Sequence, residues 1–259
     1  MIDTGYAIAG AVTGFIVGLT GVGGGALMTP ILLLVFGLSP TTAIATDLWF
    51  AAITKIVGAG VHHRAGQVDW QVVRRLWAGS LPVALLTVVI VSAGNHLDKI
   101  DWLAHTIGVV VILTAVGLIF APWLLKVATT RRIEQPIQFK AVQPILTVLA
   151  GATLGVCVAL TSIGAGALGS VMLLYLYPLR MTPHRLVATD LVHAIPLAVV
   201  AGSGYLIAGL VDWWMLASLL SGSIPGIILG SLLARKAPGR LLQIVLAIVL
   251  VSAGLKILF

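Results

Sequence analysis

The sequence predicts an all-α polytopic membrane protein that consists of two homologous repeats. Of its 259 residues, 59% are hydrophobic and 9% are charged, whereas about 25% of an average soluble protein is charged. The apolar runs reach the roughly 20 residues that a bilayer-spanning helix needs. A set of glycine, aspartate and tryptophan motifs also occurs twice in the same order. Composition, segment length and duplication together argue against a soluble globular domain.

Eight apolar segments follow one another along the chain, and glycines interrupt two of them. The first is broken within G-L-T-G-V-G-G-G-A-L-M-T-P (Gly18–Pro30) and the fifth within A-L-T-S-I-G-A-G-A-L-G-S-V (Ala159–Val171). Backbone groups freed by such a break find no water in lipid, so they must be buried in protein or line a polar cavity. The segments are approximately 5–37, 41–61, 72–94, 102–125, 142–177, 185–208, 213–234 and 241–258.

The two halves of the chain match in one register. An offset of 141 residues superimposes the two glycine breaks, and after a two-residue insertion an offset of 143 places Asp47 on Asp190. Matches of small residues are common by chance in membrane proteins, but matches of Asp and Trp in one register are not. Other matches are Pro40 with Pro183, Val68-Asp69-Trp70 with Val211-Asp212-Trp213, and Gly79-Ser80-Leu81-Pro82 with Gly222-Ser223-Ile224-Pro225.

This duplication divides the chain into a first transmembrane repeat (1–125), a basic cytoplasmic linker (126–140) and a second transmembrane repeat (141–259). Each repeat is expected to hold a glycine-broken helical hairpin followed by three transmembrane helices. Internal repeats with paired broken segments are the sequence pointer to a secondary transporter.

The distribution of Lys and Arg favours re-entrant hairpins over full crossings. If all eight segments cross, the two sides carry eight and six basic residues, which decides nothing. If both broken segments return to the side they entered from, the count becomes twelve against two, as the positive-inside rule expects. This topology gives inverted repeats in a bacterial-type inner membrane, with basic loops cytoplasmic and both termini outside. The twelve are Arg64, Arg74, Arg75, Lys126, Arg131, Arg132, Lys140, Arg180, Arg185, Arg235, Lys236 and Arg240, and the two are Lys99 and Lys256.

The formal charge of +7 would suggest a nucleic-acid partner in a soluble protein, but here it reflects basic cytoplasmic loops. We therefore expect a lipid bilayer and a small anion as partners, no nucleic acid, and room for a homo-oligomer. The lone Cys157 excludes an intramolecular disulfide and a two-cysteine metal clip. No His/Asp/Glu cluster has convincing metal spacing, so neither a metal nor a cofactor is expected.

The two glycine breaks predict an anion site. A helix resumes after each break, at about Ala26 and Ala167, and a helix N-terminus presents unpaired N–H groups and the positive end of its dipole. In inverted repeats two such helix ends meet near the bilayer midplane. The alternative is close helix packing through small residues. The predicted substrate-binding residues are Thr20, Gly21, Gly23, Gly24, Gly25, Lys55, Thr161, Ser162, Gly164 and Gly166.

Charged residues inside apolar segments form a second group of candidates. A charge in the bilayer core costs roughly 2.5–3.5 kcal/mol, so such residues usually face the protein interior and have a function. We expect Lys55 to neutralise an anion, and Asp190 with His193, at i and i+3, or Asp47 to carry a coupling proton. Alternatively, the aspartates accept hydrogen bonds from the glycine breaks, and Asp47 only neutralises Lys55. Lys55 has no counterpart in the second half, where Ala198 stands.

The glycine-rich break, the A-T-D-L that follows it, the G-x-V-D-W motif and the repetition of all three resemble the TauE/SafE sulfite-exporter family over nearly the whole chain. The resemblance implies transport of sulfite, sulfonates, thiosulfate or related sulfur anions. We therefore expect a secondary transporter that exports such an anion by alternating access, and not an enzyme. The alternatives are an anion channel, a transporter of an unrelated small organic anion, and an intramembrane enzyme such as a serine protease, which would need a nucleophile beside a base. The second break carries Ser162 and Ala165 where the first has Gly21 and Gly24, so we rank the first break above the second.

Overall fold

The computed structural model describes residues 3–20, 25–61, 68–93, 100–134, 136–233 and 239–258. The described residues form helices and no strand, which confirms the all-α prediction. Each helix overlaps a predicted apolar segment, but α5 and α6 extend beyond their segments into the polar stretch between the halves. The helices are α1 (Thr4–Thr20), α2 (Gly25–Leu34), α3 (Pro40–Val61), α4 (Trp70–Ala93), α5 (Ile100–Glu134), α6 (Pro136–Thr161), α7 (Ala167–Leu176), α8 (Pro183–Ile207), α9 (Trp213–Leu233) and α10 (Gly239–Leu258).

The two glycine-broken segments each fold into an antiparallel helical hairpin. In the first, the Tyr6 ring near the start of α1 stacks on Phe36, just beyond the end of α2, with ring centroids 4.4 Å apart. In the second, the Gln143 side-chain amide near the start of α6 donates to the carbonyl of Leu176, the last residue of α7, at 2.7 Å. The short second helix of each hairpin therefore returns towards the level at which the first helix began.

Glycines allow two pairs of helices to pack with their backbones in contact. α1 packs against α9, and α6 packs against α4. A Cβ placed on Gly10 would lie 2.0 Å from the carbonyl oxygen of Leu219, and one on Gly151 would lie 2.4 Å from that of Leu76. Only residues without a bulky side chain permit so close an approach, and such contacts drive helix association in lipid.

Several helices are suited to crossing a membrane. Among the described residues, four stretches are long and apolar enough, and a fifth joins them if the two parts of α5, bent by 45°, count as one span. Large apolar side chains such as Ile207, Trp214 and Ile8 are exposed on the outside, as a lipid-facing surface requires. The four stretches are Trp70–Val91, Lys140–Thr161, Arg185–Ile207 and Trp213–Gly230.

The polar stretch expected to link the repeats is helical on both sides of Gln135. α5 continues through Lys126 to Glu134, and α6 begins at Pro136. Gln135 itself lies outside the described residues.

Candidate functional site

A small buried cavity lies where α3, α6, α8 and the second glycine break meet. Its volume is about 10 Å³, which is about the room that one water molecule needs. The cavity as it stands is too small for a ligand larger than a water molecule. It is lined by Leu48, Ala51 and Lys55 from α3, Val158 from α6, Ser162, Gly164, Ala165 and Gly166 from the break, and Ala194 and Ala198 from α8.

The second break turns sharply just after α6 ends. Ser162 has a φ of 59°, in the left-handed region that residues other than glycine rarely adopt, and Gly164 has a φ of 126°. The Ser162 N–H still donates to the Val158 carbonyl at 2.8 Å, but its hydroxyl is buried and has no hydrogen-bond partner in the described part of the chain. Unusual backbone conformations of this kind concentrate at functional sites.

The backbone of the break offers free hydrogen-bond donors. α7 begins at Ala167 with Gly166 as its N-cap and no side chain capping it. The first backbone donor to find a partner there is the Gly169 N–H, which reaches the Gly164 carbonyl at 2.8 Å. Within the described chain, the N–H groups of Ala165, Gly166 and Ala167 have no hydrogen-bond partner. The start of α7, with the positive end of its dipole, thus lies at the cavity, because Ala165 and Gly166 line it.

Lys55 brings a cation to the same cavity from the other repeat. Its side chain is 3% exposed, and it contributes to the cavity wall. Asp190 and Asp47 are its electrostatic partners, but among the described residues no carboxylate oxygen lies within 4.0 Å of its ammonium. Lys55 is therefore close to counter-charges without being held in an ion pair.

Asp47 lies behind the cavity wall, fully buried on α3. One oxygen of its carboxylate accepts a short hydrogen bond from the Thr29 hydroxyl on α2. The Ser162 hydroxyl lies near the same carboxylate without the geometry of a hydrogen bond. Asp47 thus connects the first hairpin with the second break, and Thr29 is a partner that the sequence did not reveal.

Asp190 and His193 do not form the pair that their i, i+3 spacing suggested. The His193 Nε2 lies 3.0 Å from the Ser80 hydroxyl on α4, and its Nδ1 has no hydrogen-bond partner among the described residues. One carboxylate oxygen of Asp190 is likewise buried without a partner there. The His193 imidazole is turned towards α4, where the Ser80 hydroxyl gives this buried polar group a hydrogen-bond partner on a neighbouring helix.

Thr161 supports the break from within. Its hydroxyl donates to the Cys157 carbonyl at 2.6 Å and accepts from the Ile163 N–H at 3.1 Å. Both bonds satisfy backbone groups at the end of α6, where intrahelical partners run out. The Thr161 hydroxyl is therefore occupied by the protein itself.

The structure thus gathers Lys55, Ser162, Gly164 and Gly166 around one cavity, and it places Asp47, Asp190 and His193 in the surrounding layer. Of the first break, Thr20 ends α1 and Gly25 begins α2. Gly21, Gly23 and Gly24 lie outside the described residues. Sequence reasoning missed the apolar wall of the cavity, although Ala198 had already emerged as the repeat counterpart of Lys55.

The aspartates of the two V-D-W motifs cap helices. The Asp69 carboxylate accepts from the Val72 N–H at 3.4 Å, and the Asp212 carboxylate accepts from the Met215 N–H at 2.9 Å. An aspartate at this position satisfies one of the free donors of the first helical turn. In the described part of the chain, no group of three or more His, Cys, Asp or Glu side chains could hold a metal ion.

The helices and the buried charged cavity define a polytopic membrane protein of the transporter class, and comparison with known proteins identifies its family. The sulfite exporter TauE/SafE family model matches residues 6–257. The chain belongs to the TauE/SafE sulfite exporter family of membrane transporters.

Similar proteins cover almost the full chain. The probable membrane transporter protein YjnA of Bacillus subtilis (strain 168) is 37% identical over 254 residues, which are 97% of this chain and 98% of YjnA. YdhB of the same organism, also named a probable membrane transporter protein, is 27% identical over 95% of this chain and 96% of its own. A probable membrane transporter protein of Haemophilus influenzae is 28% identical over 61% of this chain and 58% of its own. No solved structure matches the chain.

Proposed function

We propose that this protein is a secondary transporter that exports a small sulfur-containing oxyanion, such as sulfite, a sulfonate or thiosulfate, by alternating access around the Lys55 cavity. The observation that carries the proposal is the meeting of the Lys55 ammonium with the free N–H groups of the second break in one buried cavity. The sulfur chemistry rests on the name of the family, whereas the anionic charge rests on the site.

The donors of the cavity suit an anion and not a cation. An ammonium group, a free hydroxyl on Ser162 and the N-terminus of α7 all favour negative charge, and they gain strength in a buried, water-poor environment. The rest of the wall includes Leu48, Val158 and alanines. These side chains are apolar, so they do not compete with the ligand for the donors. An oxyanion with several acceptor oxygens could use all three kinds of donor at once.

The packing of the helices supports two repeats. In the register read from the sequence, Gly10 and Leu219 correspond to Gly151 and Leu76, and both pairs make the same close contact between a glycine and a carbonyl. Likewise, the Asp69 N–H donates to Thr189 at 3.1 Å, and the matching Asp212 N–H donates to Thr46 at 3.4 Å. The first helix of each hairpin and the threonine of each A-T-D motif thus contact the other repeat. This exchange suits two halves that rock against each other around a shared site.

The antiparallel hairpins support the re-entrant topology and therefore an inverted arrangement of the repeats. Contacts between the start of α6 and the end of α7 put the basic α7–α8 connection near the level at which α6 begins. This placement is the one that gives the twelve-to-two distribution of basic residues, with the basic side cytoplasmic and both termini outside.

Charge balance supports coupling to a proton. The buried layer contains one ammonium, on Lys55, and two carboxylates, on Asp47 and Asp190, with the His193 imidazole close by. If both carboxylates were ionised, an added monovalent anion would leave two net negative charges in the protein interior and a divalent anion would leave three, which is costly. A proton on Asp190, which has a carboxylate oxygen without a partner among the described residues, would remove part of this cost. We assign Asp190 as the proton carrier and Asp47 as a support held by Thr29.

The test is sulfite flux in proteoliposomes with an imposed anion or proton gradient. Lys55→Met keeps the length of the side chain and removes the charge, so we expect flux to fall at least tenfold. Lys126→Met removes an exposed positive charge from α5 and should leave flux within twofold of wild type. Unchanged flux in Lys55→Met would overturn the assignment of the cavity as the substrate site.

The same assay separates the remaining alternatives. A carrier gives saturable flux that a gradient of the coupled ion drives, whereas a channel gives flux that follows the electrochemical gradient of the anion alone. Competition by small carboxylates in place of sulfur anions would favour a transporter of another organic anion. Asp190→Asn should abolish the pH dependence of flux, and its retention would rule out Asp190 as the proton carrier.

A further inference from the structure

We propose that Asp69, Arg180 and Arg185 form an ion-pair gate that closes the cavity towards the basic side of the protein. The gate connects the start of α4 in the first repeat to the α7–α8 connection in the second repeat. The proposal rests on transport by alternating access, and it adds which contacts must open for the cavity to reach that side.

The ion pairs are centred on a carboxylate that the protein has taken out of water. The Asp69 side chain is 1% exposed, while Arg180 and Arg185 are 40% and 38% exposed. The Arg180 Nη2 donates to one Asp69 oxygen at 2.8 Å, and its Nε lies 2.5 Å from the other oxygen. The Arg185 Nη2 lies 3.3 Å from that second oxygen. Arg180 therefore holds the buried carboxylate by a charge-assisted hydrogen bond to one oxygen, and both guanidinium groups lie within ion-pair distance of the other oxygen without forming a hydrogen bond to it.

Neighbouring hydrogen bonds hold the same two segments together. Arg180 also donates to the Gln71 side chain at 3.0 Å, and Arg75 donates to the Tyr177 hydroxyl at 3.2 Å. The Tyr177 hydroxyl in turn lies 2.7 Å from that of Thr147 on α6. These contacts all end on the short connection after α7, the helix whose N-terminus forms the cavity. If α7 moves, these hydrogen bonds must therefore either break or move with it.

An apolar layer lies on the same elements as the ion pairs. It is separate from the main hydrophobic core, and it is built from α4, α7, the α7–α8 connection and α8. Arg185 stands nine residues before Ala194 on α8, so the ion pairs lie about 14 Å along the helix from the cavity wall. The ion pairs and the apolar layer together close the route from the cavity to the basic side of the protein. The layer consists of Val72, Leu76, Leu173, Leu176, Tyr177, Met181 and Leu186.

The other repeat has no equivalent ion pairs. Asp212 corresponds to Asp69, but Gly37 and Thr42 stand where Arg180 and Arg185 would be expected. In the described part of the chain, both ion pairs are made by Asp69. Asp212 therefore provides a natural matched control for Asp69.

The gate is tested by the accessibility of one cysteine in the cavity. The background variant combines Cys157→Ala with Ala198→Cys, which places the single thiol on the cavity wall. Sulfonatoethyl methanethiosulfonate, an anionic and membrane-impermeant reagent, is applied to vesicles of each orientation. A separate Leu179→Cys variant, in the exposed α7–α8 connection, identifies the side on which the gate lies.

We expect Asp69→Asn to accelerate labelling from the gate side at least fivefold and to slow labelling from the other side. Asparagine caps a helix about as well as aspartate, so the start of α4 should be retained. Arg180→Gln provides a second variant in case Asp69→Asn folds poorly, and it should act in the same direction. Asp212→Asn should leave both rates within twofold of the background.

Unchanged labelling rates in folded Asp69→Asn and Arg180→Gln would overturn the gate, as would equal acceleration from both sides or by Asp212→Asn. The assay contains no substrate, so its failure is distinct from a failure of the flux test. A protein that transports sulfite through Lys55 but shows no change on loss of the ion pairs would retain its proposed function and lose only this gate.

Discussion

Lys55 makes the proposed binding site asymmetric although sequence motifs of the two halves match. Its counterpart by sequence is Ala198, and both residues line the same cavity. A symmetric pair of lysines there would face each other across a space of about 10 Å³ and repel. In the proposed function, one cation from the first half and one helix N-terminus from the second would give a single site for a single anion.

Ser162 combines two properties that substitution can separate. Its φ of 59° disfavours any residue with a Cβ by roughly 1–2 kcal/mol, and the first repeat has Gly21 at the matching position. We expect Ser162→Gly to be more stable than Ser162→Ala by about 1 kcal/mol, or a few degrees in melting temperature. Both variants lose the hydroxyl, so both should bind the anion more weakly. Equal stability of the two variants, measured by thermal unfolding, would contradict this account.

The sequence alone singled out Lys55, Ser162, Gly164 and Gly166, which the structure places around one cavity. They were noticeable because a charge or a glycine in an apolar segment is costly. Their role in binding stays a prediction, and so does the ranking of the first break above the second, because Gly21, Gly23 and Gly24 lie outside the described residues. The alanines of the cavity wall could not be found, because alanine is equally suited to helix packing. The His193–Ser80 contact could not be found either, because it depends on how α8 is rotated against α4.

At the scale of the helices, backbone contact between α1 and α9 and between α4 and α6 holds the two repeats together. Gly10→Ala would place a Cβ 2.0 Å from the Leu219 carbonyl oxygen, so the helices must separate. Overpacking of this kind costs about 1–3 kcal/mol. We expect the melting temperature to fall by about 2–10 °C.

Gly117→Ala is the matched control for this prediction. Gly117 lies within α5, and a Cβ there would meet its nearest neighbour, a Leu168 methyl group, at 3.7 Å, which is ordinary van der Waals contact. Alanine is also the better helix former by up to about 1 kcal/mol. Its melting temperature should therefore equal or exceed that of wild type. An equal loss of stability in both variants would show that the close contact is not the cause.

Helix positions were predictable because each follows from a local signal. Glycine breaks end α1 and α6, and apolar runs of bilayer length mark the long helices. Which helices pair was not predictable, because the packing of α1 on α9 joins positions more than 200 residues apart. The match of Gly10 with Gly151 by sequence offset indicates only that both glycines have the same kind of partner.

At the scale of the whole molecule, the hairpins, the proposed basic cytoplasmic side and the proposed gate are consistent with one arrangement of the helices in the membrane. The second glycine break lies at the cavity, together with residues of α3, α6 and α8. In the proposed arrangement the two hairpins enter from opposite sides, the Asp69 ion pairs close the route to the basic side, and transport would require the two halves to move relative to each other. Association of several copies into a homo-oligomer stays a prediction.

The central claim is that a sulfur oxyanion binds in the Lys55 cavity, and anion-dependent thermal stabilisation of the purified protein tests it most directly. Sulfite, thiosulfate, sulfate, a small sulfonate and chloride are compared on wild type and on Ala198→Leu, which fills the cavity without removing a donor. A ligand at 100 times its dissociation constant stabilises by about 2.7 kcal/mol, or about 5–10 °C. We predict such a shift with one sulfur anion and its loss in Ala198→Leu. An equal shift in folded Ala198→Leu, or no shift with any anion, would contradict the account.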